Sequence, residues 1–248
     1  MENNDLRTTG LWPFSLFKGG AFGGEPQATG NVVGIFDPVA LAWNAGGKLI
    51  EAGWVGLELM DRDFLWKIAD ANQEDVGALA LEWTRSHQSA IAEAFEQRLA
   101  SYAIDESAKE ASRQALFSYR ADHFISTVRT LMPEVEKHGR IISHANGAAS
   151  PNMKQAVQAI QDYLGQMELS HFDPIESLTV HKIVEEDLFA KCFNQSDARN
   201  LEEGLNRHAE LHGLGSYGDL RGATKMLCVQ DFLLHSVSAA SGTSNPDK

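Results

Sequence analysis

Cysteine is scarce in this chain: Cys192 and Cys228 are the two present. Two thiols build no disulfide framework, and they fit a reducing cytoplasm. Long apolar runs are missing as well. No stretch approaches the roughly 20 residues of a membrane-spanning helix. A secretory signal is not expected either, since "MENNDLRTTG" is polar and "LWPFSLF" is short and carries a proline. Positive charge is in deficit. Thirty-four acidic residues against 21 basic ones leave a net charge of −13. A protein that coats nucleic acid by charge alone needs Lys and Arg to neutralise phosphates, so that class is excluded. A brief encounter with RNA at a small local site is not. There is no internal repeat. The glycines of "KGGAFGG" lack both the preceding strand and the following Lys-Ser/Thr of a phosphate-cradling loop.

What is present describes a folded, soluble protein. The 248 residues suffice for one large domain or two small ones, with 43% hydrophobic and 22% charged residues. Residues 1–35 read as a flexible or irregular Gly-rich lead-in. "NVVGIFDP", Asn31 to Pro38, suits a short strand or an extended segment. Residues 36–104 form a partly helical region of open role. In it Trp43, Trp54 and Trp66 stand among glycines, in short helices or in strands, and core packing explains them better than ligand stacking.

From Asn72 the spacing is helical. Asp75 is expected to cap a helix whose Val76, Leu79, Ala80 and Trp83 share a face, and Ile91, Phe95 and Leu99 continue that spacing. Residues 105–238 read as a helical bundle. A run from Glu106 to about Lys137 places Phe117, Phe124, Val128, Leu131 and Val135 at helical intervals, and Gly139 and Gly147 break it. Ser150 and Pro151 open another helix. Further helices are expected over roughly 175–193 and from Ser196 or Asp197 to Gly213. Asp219 is expected to cap a last helix through Ala223, Leu227, Phe232 and Leu233, and residues 239–248 to be a disordered tail. The expected fold class is thus all-α. The scattered His123, His138, His144 and His171 read as surface or capping residues, the run Glu185–Asp187 as a solvated helix face, and both cysteines as buried thiols.

The stretch "LNRHAELHG", Leu205 to Gly213, concentrates chemistry. On a helix His208 and His212 share a face, with Arg207 about 100° round the axis. Three readings are open. A helix end favours cations because of its dipole, which makes the run purely structural. A His-x-x-x-His pair can hold zinc, with His181 or Asp197 as a third ligand brought in by folding, in a metal-dependent hydrolase. The metalloprotease pattern, however, needs Glu directly after the first histidine, whereas Glu210 stands two residues after His208. The third reading is metal-free RNA cleavage. It needs a base for the ribose 2′-OH, an acid for the departing 5′ oxygen and a cation on the phosphorane. Histidine and arginine suit those tasks.

The Arg207-His208-Ala209-Glu210-Leu211-His212 run resembles the Arg-polar-x-x-x-His motif of the HEPN superfamily (higher eukaryotes and prokaryotes nucleotide-binding domains), where Asn, Asp or His follows the arginine. The apolar final segment "TKMLCVQDFLLHSV" resembles the end of many bacterial members, so the likeness spans Ser196 to Ser236 and extends to the bundle from about Asp105. Pro133, Glu136 and Arg140 resemble a Pro-x-x-Glu…Arg pattern of some families. The resemblance implies a HEPN-like helical bundle and a homodimer with a composite cleft. It implies a metal-independent endoribonuclease without cofactor, leaving 2′,3′-cyclic phosphate ends, in phage defence or as a toxin restrained by an inhibitor or activator protein. Arg207 would stabilise the scissile phosphate, His212 would be the main acid/base group, His208 would assist it, and Asn206 would contact substrate. Members modified by a partner nucleotidyltransferase usually carry Tyr two residues after the motif histidine. Here Leu214 stands there and Tyr217 comes later, which disfavours that control. A non-catalytic HEPN binding or regulatory module is the alternative that the −13 charge suits.

Overall fold

The computed structural model describes residues 38–145, 180 and 218–242. All belong to the unit Pro38–Lys248, one of two into which the chain divides. The described residues are helical, with no strand among them, and the all-α class expected from spacing is what is observed. Seven helices are described: α1 (Pro38–Glu51), α2 (Arg62–Asp70), α3 (Gln73–Ser86), α4 (Gln88–Ser101), α5 (Glu106–Arg120), α6 (Phe124–Ala145) and α7 (Leu220–Gly242). The helices expected after Pro151 and from Ser196 to Gly213 lie outside the described residues, as do residues 1–37 and, apart from the buried, helical Val180, the helix expected over 175–193.

The Trp-containing region resolves into helices. α1 ends at Glu51, and Gly53 then takes a left-handed φ of 70°, open to glycine at little cost. Asp61 starts α2 by accepting the Phe64 N–H at 2.8 Å. Lys48 of α1 closes the other end of α2, donating to the Ala69 and Ala71 carbonyls at 2.5 and 2.7 Å. A cation there meets the negative end of the helix dipole as well as its orphan carbonyls. Trp54 is buried, consistent with a core role, while Trp43 and Trp66 are half-buried.

Three local expectations need correction. Asp75 does not cap α3; Asn72 holds the cap position and donates to Asp75 Oδ2 at 3.3 Å. The Glu106–Lys137 run is two helices, not one. Asp122, at φ 58°, sits where glycine usually ends a helix. His123 N–H reaches Ser118 O at 2.9 Å and Asp122 N–H reaches Tyr119 O at 3.2 Å, so the chain reverses before α6. Phe117 is 73% exposed. The buried face of α5 is Ala108, Ser112, Ala115, Leu116 and Tyr119, and at 100° per residue Phe117 lies across the helix from it. Gly139 does not end α6 either. The helix continues to Ala145 because Val135, His138 and Ile142 are buried on both sides of the glycine. That packing outweighs a propensity loss of about 1 kcal/mol.

The last helix starts as read from the sequence but continues through residues 239–242, expected to belong to the disordered tail. Asp219 Oδ1 accepts the Gly222 N–H at 2.7 Å, and Ala223, Leu227, Phe232 and Leu233 are buried. α7 runs to Gly242 and packs on α6 most extensively, and also on α3 and α4. Nearly every described side chain of α7 is buried, as expected for the central helix of a bundle. Its start is fixed by Gly218, where an added Cβ would lie 2.9 Å from the Ile125 Cα. Among the described residues no helix is long and apolar enough to cross a membrane.

Candidate functional site

α7 carries polar side chains in places where an enclosed helix usually carries apolar ones. Thr224, Lys225, Gln230, Asp231 and Ser236 are all buried. A buried polar group is costly unless it is bonded, so the partners decide what the helix can do. Asp231 accepts from Arg98 Nε at 2.6 Å and from the Tyr102 hydroxyl at 2.7 Å. Arg98 reaches on to Glu58 Oε2 at 3.3 Å, and the Tyr102 ring meets His235 edge-on at 5.9 Å. A chain of polar contacts therefore runs from Glu58 through α4 to the middle of α7.

Two effects compete at Asp231. Burial disfavours the charged form, while Arg98 and Tyr102 favour it. Burial dominates, and the carboxyl pKa is pushed up to about 6. The group thus exchanges a proton near neutral pH, a property shared with many catalytic acids. Its setting is nonetheless closed. Beside it, Leu57, Ile91, Phe95 and Leu227 bound a gap of about 20 Å³, room for a single water. The geometry makes Asp231 a tie between α4 and α7 rather than a group open to substrate.

Two turns earlier, Thr224 donates to Leu220 O at 2.7 Å, which leaves its oxygen to accept from the Tyr119 hydroxyl at 2.8 Å. Burial raises the Tyr119 pKa further, so this phenol remains a donor across the physiological range. Gln230, next to Asp231, has neither amide atom hydrogen-bonded among the described residues. His138 on α6 corrects the surface reading of that residue: it is buried, and burial lowers its pKa, against the Glu134 carboxylate and backbone, which raise it. His123 and His144 are exposed as expected. Cys228 is buried, as expected, and in no disulfide among the described residues.

The motif residues Asn206, Arg207, His208 and His212 lie outside the described residues, as do His181, Asp197, His171, Cys192 and Glu185–Asp187. The upstream triplet is described. Pro133 and Arg140 are exposed on α6, and Arg140 pairs with Glu136 at 2.6 Å, an i,i+4 surface bridge. Among the described residues no cluster of three His, Cys, Asp or Glu side chains is placed to hold a metal ion. Asp231 and Gln230 escaped the sequence reading because "TKMLCVQDFLLHSV" reads as an apolar run. The available signal was an acid and an amide within it, with Thr224 and Asp231 seven residues apart on one face. No protein-family model, curated protein or solved structure matches the chain.

Proposed function

We propose that this protein is a HEPN-type, metal-independent endoribonuclease that acts as a homodimer in the cytoplasm, in phage defence or as a toxin. The observation that carries the reading is the run Arg207-His208-Ala209-Glu210-Leu211-His212, followed at once by Gly213 and then by the capped final helix. An all-helical described region is compatible with it. In the reaction, the ribose 2′-OH attacks the adjacent phosphorus while a histidine takes its proton. The P–O5′ bond breaks as a second acid delivers a proton to O5′. The products are a 2′,3′-cyclic phosphate and a 5′-OH. His212 is assigned the principal proton transfer and His208 assists, since imidazole titrates near neutrality. Arg207 neutralises the phosphorane through paired, charge-assisted hydrogen bonds. Asn206 contacts the substrate.

One observation favours a second reading, a HEPN module that binds or regulates without cutting: the net charge of −13 opposes a nucleic-acid partner. Incubating the purified chain with RNA in EDTA separates the readings, with Arg207→Ala and His212→Ala alongside and the product ends analysed. Cleavage by the wild type, lost in both variants and leaving cyclic ends, is the expected result. Cleavage that EDTA abolishes points instead to a metal-dependent hydrolase using His208 and His212. Intact folded protein that never cleaves, and whose expression does not arrest growth, leaves the regulatory module.

A further inference from the structure

A cleft of about 830 Å³ lies where the starts of α6 and α7 meet α1 and α3. Its long wall is a stripe of α3. Glu74, Gly77, Leu81 and Arg85 follow one another at helical spacing, and the rise from Glu74 to Arg85 is about 16 Å. Phe124, the first residue of α6, and Arg221, in the first turn of α7, complete the end near Arg85.

The donors in this cleft are unmatched. Elsewhere in the described region arginines find carboxylates: Arg98 pairs with Asp231, Arg113 with Glu106, Arg120 with Glu96 and Arg140 with Glu136. Among the described residues Arg85 and Arg221 make no hydrogen bond or ion pair, although acidic residues outnumber basic ones in the chain and Glu51, Glu74 and Asp219 line the same cleft. A third donor is free at the floor. Among the described residues Trp54 has no side-chain hydrogen bond, and its Nε1 would lie 3.9 Å from a Cβ placed on Gly77. The glycine keeps that indole N–H open to the cleft. Asp219 is engaged with the Gly222 N–H, so at this end two guanidinium groups and an indole donor face the cleft and suit a ligand whose acceptors, phosphate oxygens above all, meet them there. Leu81 and Phe124 beside them add apolar surface suited to the face of a base.

We propose that this cleft holds a short single-stranded stretch of RNA, its phosphates at Arg85 and Arg221 and its bases toward Trp54. Glu51 and Glu74, at the opposite end, repel phosphate and accept hydrogen bonds from exocyclic amino groups, which sets the direction of the strand. A duplex hides its bases and does not use the apolar wall. The identity of the strand as RNA rests on the ribonuclease reading above, whereas the need for an anionic ligand does not.

The test measures binding of a labelled 2′-O-methyl RNA octamer to the full chain by fluorescence anisotropy over a range of salt. That probe lacks the attacking hydroxyl, so binding is read separately from cleavage. With two phosphates neutralised, the slope of log affinity against log salt is expected to be about −1.4 for a single strand, falling to about −0.7 in Arg85→Ala or Arg221→Ala. Each alanine variant should weaken binding roughly tenfold, and each lysine variant should restore the slope. Gly77→Met should block the cleft, with a melting temperature no lower than that of the wild type. Failure of the wild type to bind overturns the proposal, as does binding indifferent to both arginines. An acidic peptide that binds as tightly as the RNA and depends on the same arginines replaces RNA with a protein ligand. Arginine-dependent binding without any cleavage supports the cleft and sinks the ribonuclease reading. Cleavage at the wild-type rate by both alanine variants does the reverse.

Discussion

Replacing Asp231 by asparagine tests which force governs the buried contact between α4 and α7. If the ion pair with Arg98 prevailed, Asp231 would ionise more readily than in the unfolded chain. Burial prevails instead, and the pKa lies at about 6 against an ordinary value of 3.8. Because the folded value is the higher one, the proton-linked stability is fully present below about pH 3.8 and is lost as pH rises through about 6. At about 1.4 kcal/mol per pKa unit, the stability lost relative to low pH, where the carboxyl is neutral in both states, is roughly 1.6 kcal/mol at pH 5 and roughly 2.9 kcal/mol at pH 7. An asparagine has nearly the same shape and does not titrate. Urea unfolding of the wild type and Asp231→Asn, followed by circular dichroism at pH 5, 6 and 7, isolates this term, because other groups titrate alike in both proteins. The stability difference should move by about 1 kcal/mol in favour of the variant between pH 5 and pH 7. A constant difference, or one that moves toward the wild type, would refute the dominance of burial and give the contact to Arg98. His138 works in the opposite sense. Its depressed pKa makes its contribution present at neutral pH and lost on acidification, but it is common to both proteins and cancels.

Gly218→Ala should destabilise the protein by about 1–3 kcal/mol, since the new Cβ would sit 2.9 Å from the Ile125 backbone, which cannot yield as a side-chain tip would; an unchanged thermal midpoint would remove this close approach. Tyr119→Phe should cost about 1 kcal/mol by deleting the donor to Thr224, which keeps its own bond to Leu220, and a denaturant midpoint equal to wild type would count against that bond. Asp105→Ala should cost about 1 kcal/mol at neutral pH, because Asp105 caps α5 through the Ala108 N–H. The Ser107 hydroxyl and that N–H hold the Asp105 carboxyl down at about 2, so the difference should persist above pH 4 and shrink as pH falls toward 2. A difference that does not change on acidification would show that the carboxylate is not the capping group.

Much of the fold was legible because helices report themselves through local spacing. Val76, Ala80 and Trp83 of α3, Ile91, Phe95 and Leu99 of α4, and the apolar run of α7 are buried where their periodicity places them. Asp219 could be read as a cap because the bond it makes reaches only three residues ahead. Phe117 misled because it continues a list of apolar residues while standing on the far side of α5. Gly139 misled because a glycine lowers propensity by less than the packing around it supplies. The turn at Asp122 was hidden by a non-glycine residue at a left-handed φ. There Gln88 of α4 donates to Tyr119 O at 2.7 Å and to the Asp122 carboxylate at 2.9 Å, a long-range contact that no local pattern displays.

The candidate sites divide along the same line. The Arg207–His212 motif is wholly a sequence observation, since its spacing within one short run is its content. The all-helical class and the enclosure of the final helix were likewise determined by residue order, through periodicities of three and four. Only tertiary structure decided that Asp231 would meet Arg98, 133 residues away in the chain, and that burial would raise its proton affinity. Tertiary structure also decided that Arg85 and Arg221 would share one cleft while pairing with no carboxylate among the described residues. The physical reason is range. Hydrogen bonding within a helix and apolar spacing act over a few residues and are written in order along the chain. The desolvation and pairing of a charge depend on everything packed around it, and that is assembled from the whole fold.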